Sequence, residues 1–170
     1  MNISFTGHRQ YDKERFDEAL RAAILEFAAD EPTLCYSGVA VGFDLAAAEC
    51  VLTLRDEGFA LQLCCVIPFA GQAASFSAED RARYDAIIKQ ADSVIILSEE
   101  YRADTFHRRN DYLVAHAEAI ITYYEGASNR GKIGSGGKGG TAYTLRRARN
   151  EGLAIKNIYP SQQLTLFCEG

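Results

Sequence analysis

No apolar run in the chain approaches 18 residues, so a membrane-spanning helix is not expected. The opening stretch Met1-Asn2-Ile3-Ser4-Phe5 has no basic region leading into a long apolar one, so no signal peptide is expected either. Positive charge is scarce: 18 Lys and Arg face 23 Asp and Glu, for a net charge of -5. Such a chain makes a poor general polyanion binder unless its charge is segregated, and nucleic acid is an unlikely partner on this ground. The five cysteines, Cys35, Cys50, Cys64, Cys65 and Cys168, are odd in number and match no zinc or redox spacing. Cys35, Cys64 and Cys65 sit in apolar runs and read as small core residues, which favours a reducing cytoplasm. His107 and His116 have no metal-ligand spacing, so no metal is expected, and no cofactor is called for. There is no Gly-x-Ser-x-Gly elbow. A Walker A loop is absent, because Lys138 is followed by Gly139 and position 132 is lysine.

What is present is an alternation of two periods. Strand-like runs fall at Ile3–Thr6, Thr33–Ser37, Ala60–Ile67, Ser93–Leu97, Ala119–Tyr124 and Ala154–Tyr159. A short edge strand is expected at Leu164–Cys168. Helical runs lie between them: Asp12 caps one reaching Ala29, Phe43–Asp56 is a second, and Ser77-Ala78-Glu79-Asp80 caps a third. Phe106–Ala117 and Thr141–Glu151 are the fourth and fifth. Continuous apolar strands suit a parallel sheet covered on both sides. The expected fold is therefore α/β: a Rossmann-like, doubly wound, mainly parallel sheet with helices on both faces, in a single domain over residues 1–170.

In such sheets a ligand sits beyond the carboxyl ends of the strands. Thr6-Gly7-His8-Arg9 follows the first strand, and Ser37-Gly38 through Gly42, Phe43 and Asp44 follows the second. Gly139-Gly140-Thr141 opens the last helix. Glycine allows close backbone approach and positive φ, and a helix start offers unpaired N–H groups to a phosphate. Arg9 could pair with that phosphate. Gly134 to Gly139 fits the pattern GxGxxG, but seven of the fifteen residues from Gly126 to Gly140 are glycine, so the match is weak. On the fourth helix, Phe106, Leu113, Val114 and Ala117 define a buried stripe, and Arg109 and Asn110 share it. Polar groups aimed inward need partners in the protein or in a ligand. Glu99, Glu100 and Asp44 are the candidate carboxylates for any bond cleavage, and no residue is assigned a catalytic role.

These segments together resemble the YpsA-like branch of the superfamily that unites the Smf/DprA proteins with the LOG ("lonely guy") phosphoribohydrolases. The marks are Thr6-Gly7-His8-Arg9, Ser37-Gly38 through Gly42-Phe43-Asp44-Leu45 to Ala47-Ala48-Glu49, and Ile67-Pro68-Phe69. Further marks are Tyr84 through Gln90-Ala91-Asp92, Phe106 with Asn110, and Gly139-Gly140-Thr141-Ala142. The resemblance runs from Ile3 to Tyr159. It implies a Rossmann-like fold, a pocket for nucleotides or phosphoribosyl derivatives, and a homodimer. LOG-type hydrolases carry a catalytic Glu three residues beyond the Gly-Thr turn; here that position is Thr144, which speaks against their activity. The expected function is a nucleotide-derivative binding protein acting as a sensor or regulatory module, with a small-molecule nucleotide or nucleotide-sugar ligand. Cleavage of an N-glycosidic or phosphoribosyl bond is the alternative, and DprA-like binding of single-stranded DNA a further one.

Overall fold

The computed structural model describes residues 1–125 and 140–160. Six strands form one sheet: β1 (Asn2–Gly7), β2 (Thr33–Ser37), β3 (Leu61–Ile67), β4 (Ser93–Ile96), β5 (Ala119–Tyr123) and β6 (Ala154–Asn157). Their order is β4-β3-β2-β1-β5-β6, and every pairing is parallel. The chain steps outward from β1 to β4, then returns across the sheet to lay β5 beside β1. The two crossover directions part between β1 and β5, where such sheets open a crevice.

The helices are α1 (Lys13–Ala28), α2 (Phe43–Asp56), α3 (Ala78–Gln90), α4 (Thr105–Ala115) and α5 (Gly140–Asn150). α2 packs against α1 and α3, while α4 packs against α5. The pleat of β1 separates the two layers. Ile3 and Phe5 enter the core shared with α1 and α2, while Ser4 points the other way and donates its hydroxyl to the Leu113 carbonyl of α4 at 2.7 Å. α2 can lie close to the sheet because Ala46, Ala47 and Ala48 are small, and Phe43 fills the space over β1 in edge contact with Phe5. Each large buried side chain of this kind contributes roughly 1.5–3 kcal/mol.

The caps read from the sequence form. The Asp12 carboxylate accepts from the Arg15 amide, the Ser77 hydroxyl accepts from the Asp80 amide, and Gly152 closes α5 at φ 79°. A short 3-10 turn at Gln72–Ser75 has no counterpart in the sequence reading. The edge strands are less buried than the central ones, with Ile96 of β4 at 50% and Ile155 of β6 at 37% exposure. Cys35, Cys64 and Cys65 are buried free thiols, and Cys50 is partly buried. Cys168 and the strand expected at Leu164–Cys168 lie outside the described residues. Among the described residues no helix is long and apolar enough to cross a membrane.

Candidate functional site

The carboxyl end of β1 is a junction. The His8 amide donates to the Tyr123 carbonyl of β5, and the His8 carbonyl accepts from the Phe43 amide of α2. The ring closes a third link: its Nε2 accepts the Glu125 N–H at 2.9 Å, which places the ring proton on Nδ1. Burial lowers the His8 pKa and Glu125 partly offsets this, so the neutral ring that the bond requires is the favoured form. Thr6 is buried one residue before Gly7. Arg9 is exposed and makes no ion pair with a described residue.

The turn after β2 is held from inside. The Ser37 hydroxyl donates to the Asp44 carbonyl at 2.9 Å and accepts from the Val39 amide at 3.1 Å. Its proton is committed to a main-chain carbonyl, so the hydroxyl serves to hold the turn. Val39 sits at φ 47°, a left-handed conformation that costs a β-branched residue on the order of 1–3 kcal/mol. At the α2 start, Phe43 N–H binds His8 O, Leu45 N–H binds Ala40 O and Ala46 N–H binds Gly42 O. The amides expected to receive a phosphate there are largely taken by the protein.

The glycines have the same internal explanation. A Cβ on Gly7 would enter the Phe43 ring, one on Gly38 would overlap the Arg109 guanidinium, and one on Gly42 would overlap the Arg9 carbonyl. These three residues make room for neighbouring protein groups. Gly140 differs: among the described residues its Cβ would meet only Asn110 Nδ2, at an ordinary 3.7 Å.

At the centre is a buried polar cluster. Arg109 of α4 is 7% exposed, and its Nη1 donates to Gly38 O at 3.1 Å while its Nε donates to Asn110 Oδ1 at 2.9 Å. Gln72, from the 3-10 turn after β3, donates Nε2 to the same Gly38 carbonyl at 3.0 Å. Burial works against the Arg109 charge, Asp44 partly offsets that, and the nearby Arg9 charge adds to it. Among the described residues, one carboxylate, Asp44, offsets the Arg109 charge while a second cation, Arg9, opposes it. Asp44 is 6% exposed, and its Oδ1 has no hydrogen-bond partner among the described residues.

Burial pushes the Asp44 carboxyl from 3.8 up to about 6, against the opposing pull of Arg109 and the Ala40 amide. A carboxyl raised on folding contributes its stability below the unfolded value and loses it as pH rises through the folded one. The gap corresponds to roughly 3 kcal/mol. Asp44→Asn is therefore expected to gain on the native protein by several degrees in Tm between pH 4 and pH 7.5. Parallel melting curves of the two proteins across that range would refute the buried carboxylate.

Asn110 links this cluster to α5. Thr141 is half-buried in the first turn, and Thr144 is buried with its hydroxyl donating to Gly140 O at 2.8 Å. The position where the resemblance expects a catalytic Glu thus supplies no carboxylate. Gly139, with the glycine-rich segment before it, lies outside the described residues. Glu99 and Glu100 are exposed in the turn after edge strand β4.

One sequence expectation is corrected on α4. The buried stripe is Thr105, Arg109, Asn110, Leu113 and Val114; Phe106 is 39% exposed and Ala117 lies beyond the helix. Phe106 leaves the stripe because its ring leans on Phe69 and Tyr101, at centroid separations of 6.0 and 6.2 Å. The Arg109 guanidinium stands 5.8 Å from the Phe106 centroid. Sequence reasoning missed Gln72 and this aromatic group as site residues. Phe69 was within reach of the carboxyl-end rule, since it follows β3; Gln72 had no signal in its irregular turn.

Known proteins agree with this architecture. The X-ray structure of TM1055 superposes with a TM-score of 0.54 at 12% identity, covering 91% of this chain and 71% of that one. DNA processing protein A from Helicobacter pylori, described for its single-stranded DNA binding mode, superposes with a TM-score of 0.51 at 16% identity, covering 99% and 81%. At these identities the likeness is one of fold. The SPbeta prophage-derived protein YoqJ of Bacillus subtilis (strain 168), itself uncharacterized, is 27% identical over 128 residues, 68% of this chain and 75% of its own. A UPF0398 protein of Bacillus cereus (strain B4264) is 27% identical over 135 residues, 72% and 73% of the two chains. The family model for YpsA, described as the YspA SLOG family, matches residues 3–161, and the chain belongs to that family.

Proposed function

We propose that the chain binds a phosphate-bearing nucleotide derivative at the carboxyl ends of β1 and β2 and serves as a sensor or regulatory module. The observation that carries this is the buried Arg109 guanidinium, bonded to Gly38 O and Asn110 Oδ1, strained by burial and by the nearby Arg9 charge and, among the described residues, offset by Asp44. An anion relieves that strain, and Asn110 and the start of α5 adjoin it. The rings of Phe69, Tyr101 and Phe106, the last 5.8 Å from the Arg109 guanidinium, suit an aromatic base. The chain carries a net charge of -5, which favours a small ligand over a polyanionic strand.

Calorimetry against nucleoside 5′-phosphates, ADP-ribose, inorganic phosphate and a single-stranded oligodeoxynucleotide tests the reading. A nucleotide is expected to bind at least tenfold more tightly than inorganic phosphate, with no turnover by chromatography of the incubated mixture. Release of free base or ribose phosphate would favour the hydrolase alternative, with Asp44 as its carboxylate. Preference for the oligonucleotide would favour the function named for the Helicobacter pylori protein.

A further inference from the structure

Two buried acceptors in the cluster stand without donors. Asp44 Oδ1 and Gln72 Oε1 have no hydrogen-bond partner among the described residues, although the two residues are only 6% and 5% exposed. Buried polar atoms are rarely left unpaired, so each calls for a donor. The orientation of the Gln72 amide is not interchangeable. Its Nε2 donates to Gly38 O, and a flipped amide would set two carbonyl-type oxygens against each other. Oε1 is therefore held as an acceptor. Asp44, in the first turn of α2, interacts electrostatically with Arg109, which donates to the same Gly38 carbonyl.

The surroundings suit the parts of a ligand. Arg109 connects through Asn110 to Gly140, the end suited to a phosphate. The Gln72 main-chain N–H donates to the Phe69 carbonyl, and Phe69 belongs to the aromatic group. The residues of both orphan acceptors are tied to the Gly38–Arg109 cluster, Gln72 by its bond to Gly38 O and Asp44 by its charge interaction with Arg109. In a nucleoside 5′-phosphate the group between phosphate and base is the sugar, and its donors are hydroxyls.

We infer that Asp44 and Gln72 form a hydroxyl-accepting pair for the vicinal 2′,3′-diol of a ribose, and that the site selects ribonucleotides over deoxyribonucleotides. This rests on the nucleotide reading above. A site built to receive a hydroxyl rejects the analogue lacking it, because its buried acceptor is then left unpaired.

The test is titration calorimetry with adenosine, guanosine, cytidine and uridine 5′-monophosphates, their 2′-deoxy and 3′-deoxy counterparts, ribose 5-phosphate and inorganic phosphate. The tightest ribonucleotide is expected to bind at least tenfold more strongly than either deoxy analogue, and ribose 5-phosphate more strongly than inorganic phosphate. In Asp44→Asn and in Gln72→Met, each checked for folding by its melting curve, the discrimination is expected to fall below threefold. Inorganic phosphate should bind Asp44→Asn no more weakly than the native protein. Equal binding of ribo and deoxy forms by the native protein overturns the inference while leaving the nucleotide reading intact. So does discrimination by base alone, with ribose 5-phosphate no better than phosphate. Failure of every nucleotide and of ribose 5-phosphate to bind overturns the reading itself.

Discussion

Gly42→Ala is expected to destabilise the fold by roughly 3 kcal/mol or more, which for a domain of this size lowers Tm by roughly 6–12 °C. Two effects add. Gly42 sits at φ 93°, where an L side chain is strained. Its Cβ would also overlap the Arg9 carbonyl, a backbone group with no rotamer through which to escape. Arg9 cannot shift alone, because the preceding His8 is fixed to Tyr123, Glu125 and Phe43. Gly140→Ala is the control: among the described residues its Cβ meets only Asn110 Nδ2 at 3.7 Å, and alanine is the better helix former. That variant is expected to melt within about 2 °C of the native protein, and to alter ligand binding if anything. Thermal melts of the two variants side by side decide the matter. A Gly42→Ala protein as stable as Gly140→Ala would mean that the β1 and β2 turns do not pack as described.

The same two glycines show what could be read from the sequence. The alternation of periods placed each strand and helix of the described chain within about two residues, because every segment is short, apolar and bounded by a cap or turn residue. The carboxyl-end rule then gathered Thr6, Gly7, His8, Arg9, Ser37, Gly38, Gly42 and Asp44 on one side of the sheet. What the sequence could not convey is which neighbour each glycine accommodates. A ligand and an arginine side chain demand the same absence of a Cβ, and only three-dimensional packing distinguishes them at Gly38.

Phe106 was misread for a related reason. Helical periodicity assigns a face, but in the first turn an aromatic side chain can lean outward onto other rings, here Phe69 and Tyr101. Gln72 was invisible because a 3-10 turn of four residues has no period to detect. Its side chain enters the cluster through one bond, which Nε2 donates to the Gly38 carbonyl in the turn after β2.

Arg109→Met is expected to reduce affinity for the nucleotide by roughly tenfold to a hundredfold, the value of one charge-assisted hydrogen bond of about 1.5–3 kcal/mol. Arg109→Lys should rescue little. A lysine ammonium is a point donor and does not reproduce the fixed fork by which the planar guanidinium reaches Gly38 O through Nη1 and Asn110 Oδ1 through Nε. The change in stability is expected to be smaller than the lost bonds suggest, because methionine also removes a charge that burial disfavours. The diagnostic readout is Asp44. Arg109 holds its carboxyl down against the desolvation that raises it, so in Arg109→Met the Asp44 pKa must rise above about 6. The loss of stability with increasing pH still begins near the unfolded value but extends to higher pH, since the group stays protonated in the fold over a wider range. Carboxyl carbon shifts of Asp44 followed by NMR across pH 3–9 report this directly. Unchanged titration of Asp44 together with native affinity would show that Arg109 neither faces that carboxylate nor receives the phosphate, and the proposed anion site would have to be abandoned.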